Sequence, residues 1–119
     1  MADVVYPSLS LMPHGYAWLE FGPEGDRPEF ERIAERLRRE FGATVTESRR
    51  FTEKDYLYLN VEGAELLLMW KAGLGTGLSA TRADLPILLR VADAYDAPCR
   101  GWRWHLYRLT HRSTQAAGC

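Results

Sequence analysis

Phe30, Ile33, Ala34, Leu37 and Phe41 recur at intervals of three and four, which lays them on one face of a 3.6-residue period and predicts an amphipathic helix. Its ends are marked as well: Asp26 stands three residues before Glu29 as in a capping box, Pro28 falls in the first turn, and Gly42 follows the last periodic residue. Glu29 and Glu31 come early and Arg38 and Arg39 late, the distribution a helix dipole favours. A second helix is predicted to begin at residues 84–86, because Asp84 can cap it and Pro86 is tolerated only in a first turn. Leu85, Leu88, Leu89, Ala92 and Tyr95 then repeat at helical spacing, Ile87 and Val91 widen the stripe, and Asp96, Ala97 and Pro98 end it.

Elsewhere the period is two. Residues 16–21 form an aromatic-rich strand that stops at Gly22, Pro23, Glu24 and Gly25. From Thr44 a strand runs toward Phe51, residues 52–55 make a polar turn, and residues 56–61 alternate with Leu57, Leu59 and Val61 on one side. Glu62 and Gly63 reverse the chain into residues 65–71, whose apolarity on both faces suits a central strand, so these three runs form an antiparallel meander. Residues 73–79, with Gly73, Gly75 and Gly77, read as a flexible connector, and residues 101–109 as a last strand. Residues 1–14 read as an irregular lead-in and 113–119 as a frayed polar tail.

The element order is therefore β-α-β-β-β-α-β: one two-layer α+β domain over residues 1–119, with about five mostly antiparallel strands and two helices on one face. It reads as a ferredoxin-like split βαβ with one strand added. Phe30, Ile33, Leu37, Leu57, Leu59, Leu66, Leu68, Leu88 and Leu89 are the expected shared core. A composition 46% hydrophobic and 26% charged excludes disordered, collagen-like and coiled-coil classes. The run from Leu66 to Trp70 is far too short to cross a membrane as a helix, and the lead-in lacks a basic start and apolar stretch for export, so a cytoplasmic location is expected. In a reducing compartment Cys99 and Cys119 would both stay thiols.

Charge is uneven along the chain. Residues 1–96 carry 11 basic and all 16 acidic side chains, whereas 97–119 carry Arg100, Arg103, Arg108 and Arg112 and no acid. Read as a strand, the C-terminal run places Trp102, Trp104, Leu106 and Arg108 on one face and Arg103, His105, Tyr107 and Leu109 on the other. Rings beside guanidinium groups suit single-stranded nucleic acid, although no basic-Gly-aromatic signature of an RNA-recognition sheet occurs; the plain alternative is a Trp-rich core strand with solvated arginines. Tyr56 and Tyr58 share the face opposite Leu57 and Leu59, where they would join Trp18 or the Trp102 and Trp104 strand in an aromatic patch of the residue types that dominate protein interfaces.

Other chemistry finds no footing. The glycine run lacks the spacing of a dinucleotide loop and the terminal Gly-Lys-Ser/Thr of a P-loop. His14, His105, His111 and Cys99 show no metal-ligand spacing, and no serine sits in a nucleophile motif. No metal, cofactor or catalytic residue is expected, and catalysis by carboxylates such as Glu47, Glu53, Asp55, Glu62 and Glu65 is the third reading.

The stretch Asp55-Tyr56-Leu57-Tyr58-Leu59-Asn60-Val61-Glu62-Gly63-Ala64-Glu65-Leu66-Leu67-Leu68-Met69-Trp70, followed by the Gly-rich connector and an amphipathic helix, resembles small α+β immunity proteins of bacterial polymorphic-toxin systems. The resemblance is of pattern, and it implies a cytoplasmic protein that binds and blocks a cognate toxin with no reaction of its own. The expectation is thus a non-catalytic protein-binding module, an immunity protein or a homo-oligomer, binding through Tyr56, Tyr58, Trp102, Arg103, Trp104 and Arg108. The alternatives are a single-stranded nucleic-acid binder using the basic aromatic end and a small enzyme.

Overall fold

The computed structural model describes residues 6–13, 15–23, 25–101 and 103–110, with the backbone alone for 105, 108 and 110. Chain order is β1 (Ser8–Leu11), β2 (Tyr16–Gly22), α1 (Arg27–Phe41), β3 (Thr44–Arg50), β4 (Lys54–Val61), β5 (Ala64–Lys71), β6 (Gly75–Thr81), a single 3-10 turn (Arg82–Asp84), α2 (Leu85–Ala94), β7 (Cys99–Arg100) and α3 (Arg103–Thr110).

Helix α1 forms where its caps predict. The Asp26 carboxylate accepts the Glu29 backbone N–H at 3.0 Å, and Gly42 closes the other end at φ 66, a left-handed conformation that costs glycine little. Phe30, Ile33 and Leu37 are the residues of its stripe that reach full burial. Helix α2 buries Leu85, Leu88, Leu89, Val91 and Ala92, but Asp84 does not cap it: that carboxylate accepts the Glu65 N–H at 3.1 Å instead.

The strands make one seven-stranded sheet in the order β3-β4-β5-β6-β2-β1-β7, antiparallel throughout except for the β1–β7 pair. Following the directions through these pairs, β2 and β3 run parallel, and so do β6 and β7. Each helix is then a crossover: α1 carries the chain from β2 past three strands to β3, and α2 carries it from β6 past β2 and β1 to β7. The two crossovers start from oppositely directed strands and travel in opposite directions, so the usual right-handed connection sends both helices to the same side. Leu9, Ala17, Leu19, Leu59, Leu66, Leu68, Leu78 and Ala80 from the sheet and the buried residues of α1 and α2 accordingly share one core. The core residues named from the sequence lie in it, with Leu57 half-buried at its margin.

Arg27 bolts α1 to the β3–β4 turn. Its guanidinium donates to the buried Asp55 carboxylate at 2.8 and 3.3 Å and to the carbonyls of Phe51 and Thr52, while lying 4.8 Å from the Trp70 ring centroid. Trp70 Nε1 donates in turn to Gly25 O at 2.9 Å. Asp55, expected in a solvated turn, is thus the buried partner of Arg27, with Arg50 adding a second contact at 3.5 Å.

Three further expectations are corrected. Residues 8–11 are a strand, because Ser8–Leu11 pairs along the outer edge of β2. Residues 75–81 are a strand too: Gly75 and Gly77 are glycines because neighbours occupy the space a Cβ needs, Gly22 O at 1.8 Å for Gly75 and the Trp18 ring at 1.9 Å for Gly77. Residues 103–110 are helical, following Gly101 at φ 99, which turns the chain off the two-residue β7. Cys99 is disulfide-bonded, a state that the sequence left open outside a reducing compartment. The sheet therefore has seven strands where about five were expected, and its order does not reproduce a ferredoxin-like arrangement. The tail at 113–119 lies outside the described residues.

Candidate functional site

With both crossover helices on one side, no described helix covers β4, β5, β6 and β2 on the other side of the sheet, while over β1, where Ser8 is buried, Arg100 reaches across Ser10 to Glu20. Register places two rows of side chains across five strands on this open face. One row reads Trp18, Ser79, Leu67, Tyr58 and Glu47, and the next reads Glu20, Gly77, Met69, Tyr56 and Arg49. Alternation alone decides this: Leu19, Leu78, Leu68 and Leu57, one residue on, form the facing row on the core side.

Trp18, Tyr56, Tyr58, Leu67 and Met69 are half-buried, covering one another, and Tyr16 at one end of β2 is 51% exposed. The Trp18 indole lies over Gly77, the lack of a side chain on β6 making the floor on which the ring rests. Between Tyr16, Tyr58, Leu67, Ser79 and Thr81 the face dips into a hollow of about 220 Å³, walled on the β5 side by Glu65 and Asp84. That volume is below the roughly 300 Å³ at which small-molecule pockets begin, so the hollow suits a protruding side chain better than a metabolite.

The two ends of the face differ in charge. Glu65 and Asp84 stand at one end; at the other, Lys54 lies directly opposite Lys71 on adjacent strands. Like charges so paired oppose folding. Lys54 is held 4.9 Å from the Phe51 ring centroid and 5.8 Å from that of Tyr56, which stack edge to face at 6.0 Å. Lys54, Lys71 and Phe51, with Arg50, Thr52 and Glu53, rim an open dish of about 770 Å³ at the β3–β4 turn.

Of the six site residues read from the sequence, two stand on this face: Tyr56 and Tyr58, in the company of Trp18. Trp104 is corrected to a core residue. It is 3% exposed, donates from Nε1 to Leu9 O at 3.3 Å, and stacks edge to face on Tyr107 at 5.6 Å, one helical turn away. The strand alternation that put Trp104 with Leu106 and Tyr107 on the opposite face does not exist; in α3 Leu106 and Leu109 are the exposed pair. Arg103 is half-buried at the start of α3. Trp102 and the Arg108 side chain lie outside the described residues. The basic aromatic run is therefore a helix and not a strand.

Leu67, Met69, Ser79 and the Lys54–Lys71 pair went unnoticed in the sequence. The first two were readable, since an apolar strand in a sheet with one open face must spend half its side chains there; the last three needed the register. Among the described residues no three His, Cys, Asp or Glu side chains converge as a metal site, and no helix is long and apolar enough to cross a membrane. No known protein family, curated protein or solved structure matches this chain significantly.

Proposed function

We propose that this chain is a non-catalytic protein-binding module whose partner docks on the open sheet face around Trp18, Tyr56 and Tyr58. The observation that carries the reading is the contiguous band of Tyr16, Trp18, Tyr56, Tyr58, Leu67 and Met69, uncovered by any described element. Aromatic and methionine side chains concentrate where interfaces bind hardest, and an aromatic ring orders at low entropic cost because it has few rotatable bonds. The immunity-protein resemblance supplies the class of partner, a toxin polypeptide, since the stretch that carries it forms the β4–β5 hairpin that contributes Tyr56, Tyr58, Leu67 and Met69 to this band.

The test is photo-crosslinking in the native host. A photoreactive phenylalanine derivative in place of Tyr58 is expected to yield a discrete protein adduct, lost when Trp18 and Tyr56 are changed to Ala. The same probe in place of Arg39, on the outer side of α1, is expected to yield none. Equal products from both positions, or none from Tyr58, would overturn the reading. An adduct destroyed by nuclease would favour the single-stranded nucleic-acid alternative. The Lys54–Lys71 pair beside Phe51 and Tyr56 gives that second reading its footing, and its binding would weaken steeply with salt.

A further inference from the structure

Strand β3 forms one edge of the sheet, and all seven of its residues are exposed. Among the described residues no element pairs along its outer rim, and α1 reaches it through the Glu31–Arg50 ion pair at 2.9 Å. An open edge of this length is a template for pairing with another strand, and its charges decide which strand it accepts. Phe51 N–H bonds to Lys54 O at 2.8 Å, so Phe51, Arg49 and Glu47 turn their backbone groups inward to β4 while Ser48 and Arg50 turn theirs out. The bulge between Val45 and Glu47, where Thr46 Oγ1 donates to Tyr58 O at 3.1 Å, ends the regular rim on the other side.

We propose that β3 pairs antiparallel with β3 of a second copy of this chain, with Ser48 on the two-fold axis. An antiparallel pair must match outward-turned residues to outward-turned residues, so the register moves only in steps that keep Ser48 opposite an outward-turned position of the second copy. Centring on Ser48 sets Glu47 opposite the partner's Arg49 and Arg49 opposite the partner's Glu47, on the closely spaced side-chain rows between hydrogen-bonded pairs. Moving the centre one residue either way sets Glu47 against Glu47 or Arg49 against Arg49. Opposite charges stabilise such a pair and like charges oppose it, so the sequence Glu47-Ser48-Arg49 favours one register and opposes both neighbours. In the single chain Arg49 reaches Glu47 only at 3.4 Å, with both side chains more than half exposed, and so gives up little on pairing.

The dimer uses the rim of the sheet and leaves the open face clear; it stands whether or not that face takes a partner. Its ladder is short, bounded by the bulge and by the turn at Phe51, so the association is weak and is sought from about 10 μM to about 1 mM by sedimentation velocity. The wild-type chain is expected to move from monomer to dimer across that range. Glu47→Arg alone and Arg49→Glu alone are expected to stay monomeric at least about tenfold higher in concentration, each now bearing two like-charged cross-strand pairs. Mixed together, those two variants are expected to form a heterodimer, because every pair across the axis is again opposite in charge. A wild-type chain that stays monomeric throughout, single variants that dimerise as wild type does, or a mixture that fails to associate would each overturn the proposal. Wild-type circular dichroism in both single variants serves as the folding check, and the association of the mixture cannot be produced by misfolded chains.

Discussion

Replacing Trp104 separates two physical pictures of the C-terminal segment. In the helix Trp104 is a core anchor: 3% exposed, its ring against Tyr107 and its N–H on Leu9 O, so that it ties α3 to β1. Full burial of an indole removes about 150–250 Å² from water, which at about 25 cal/mol/Å² corresponds to about 4–6 kcal/mol against an extended chain. Measured Trp→Ala costs in cores run about 3–5 kcal/mol, and that range is expected for Trp104→Ala. A domain of this size is stable by about 5–15 kcal/mol, so the variant loses between about a fifth and all of its stability. Trp104→Phe keeps a ring and removes the hydrogen bond, which is expected to cost about 1 kcal/mol for the bond plus the area difference. Equilibrium urea unfolding followed by far-ultraviolet circular dichroism measures both without depending on tryptophan emission. A Trp104→Ala loss below about 0.5 kcal/mol, the size of a surface change, would refute the core assignment and return Trp104 to an exposed strand.

Gly77→Ala places a Cβ 1.9 Å from the Trp18 ring and is expected to lower stability by about 1–3 kcal/mol and shift Trp18 emission to the red as the ring lifts from β6; unchanged emission in a chain with the other three tryptophans replaced by Phe would show that the ring does not rest there. Burial raises the Tyr95 phenol above its ordinary range, Arg36 beside it opposing in part. A raised pKa in the folded state means stability that is whole below the unfolded tyrosine's pKa and is lost as pH rises through the folded value, so alkaline unfolding is expected to set in later in Tyr95→Phe than in wild type, and coincident profiles would contradict it.

The sequence alone determined those elements whose signals are local. Helix α1 was readable end to end because Asp26, Pro28, Glu29 and Gly42 act within one turn of the residues they cap, and the β4–β5 hairpin because Glu62 and Gly63 join two runs of period two. Tyr56 and Tyr58 were assigned a shared face by the same short-range alternation. What lay beyond local signals was decided by packing. Gly75 and Gly77 read as a connector because glycine is equally at home in loops; only the arrival of Gly22 O and the Trp18 ring from β2 makes them the residues a buried strand requires. Residues 103–110 satisfy both a two-residue and a helical period, and the choice fell to helix because it brings Trp104 and Tyr107, three apart, to one buried side. Ser8–Leu11 became a strand because β2 offered it an edge. Which face stays open is the most distant property of all. It follows from the order and direction of strands separated by tens of residues, which send α1 and α2 to one side of the sheet and leave Trp18, Tyr56 and Tyr58 together on the other.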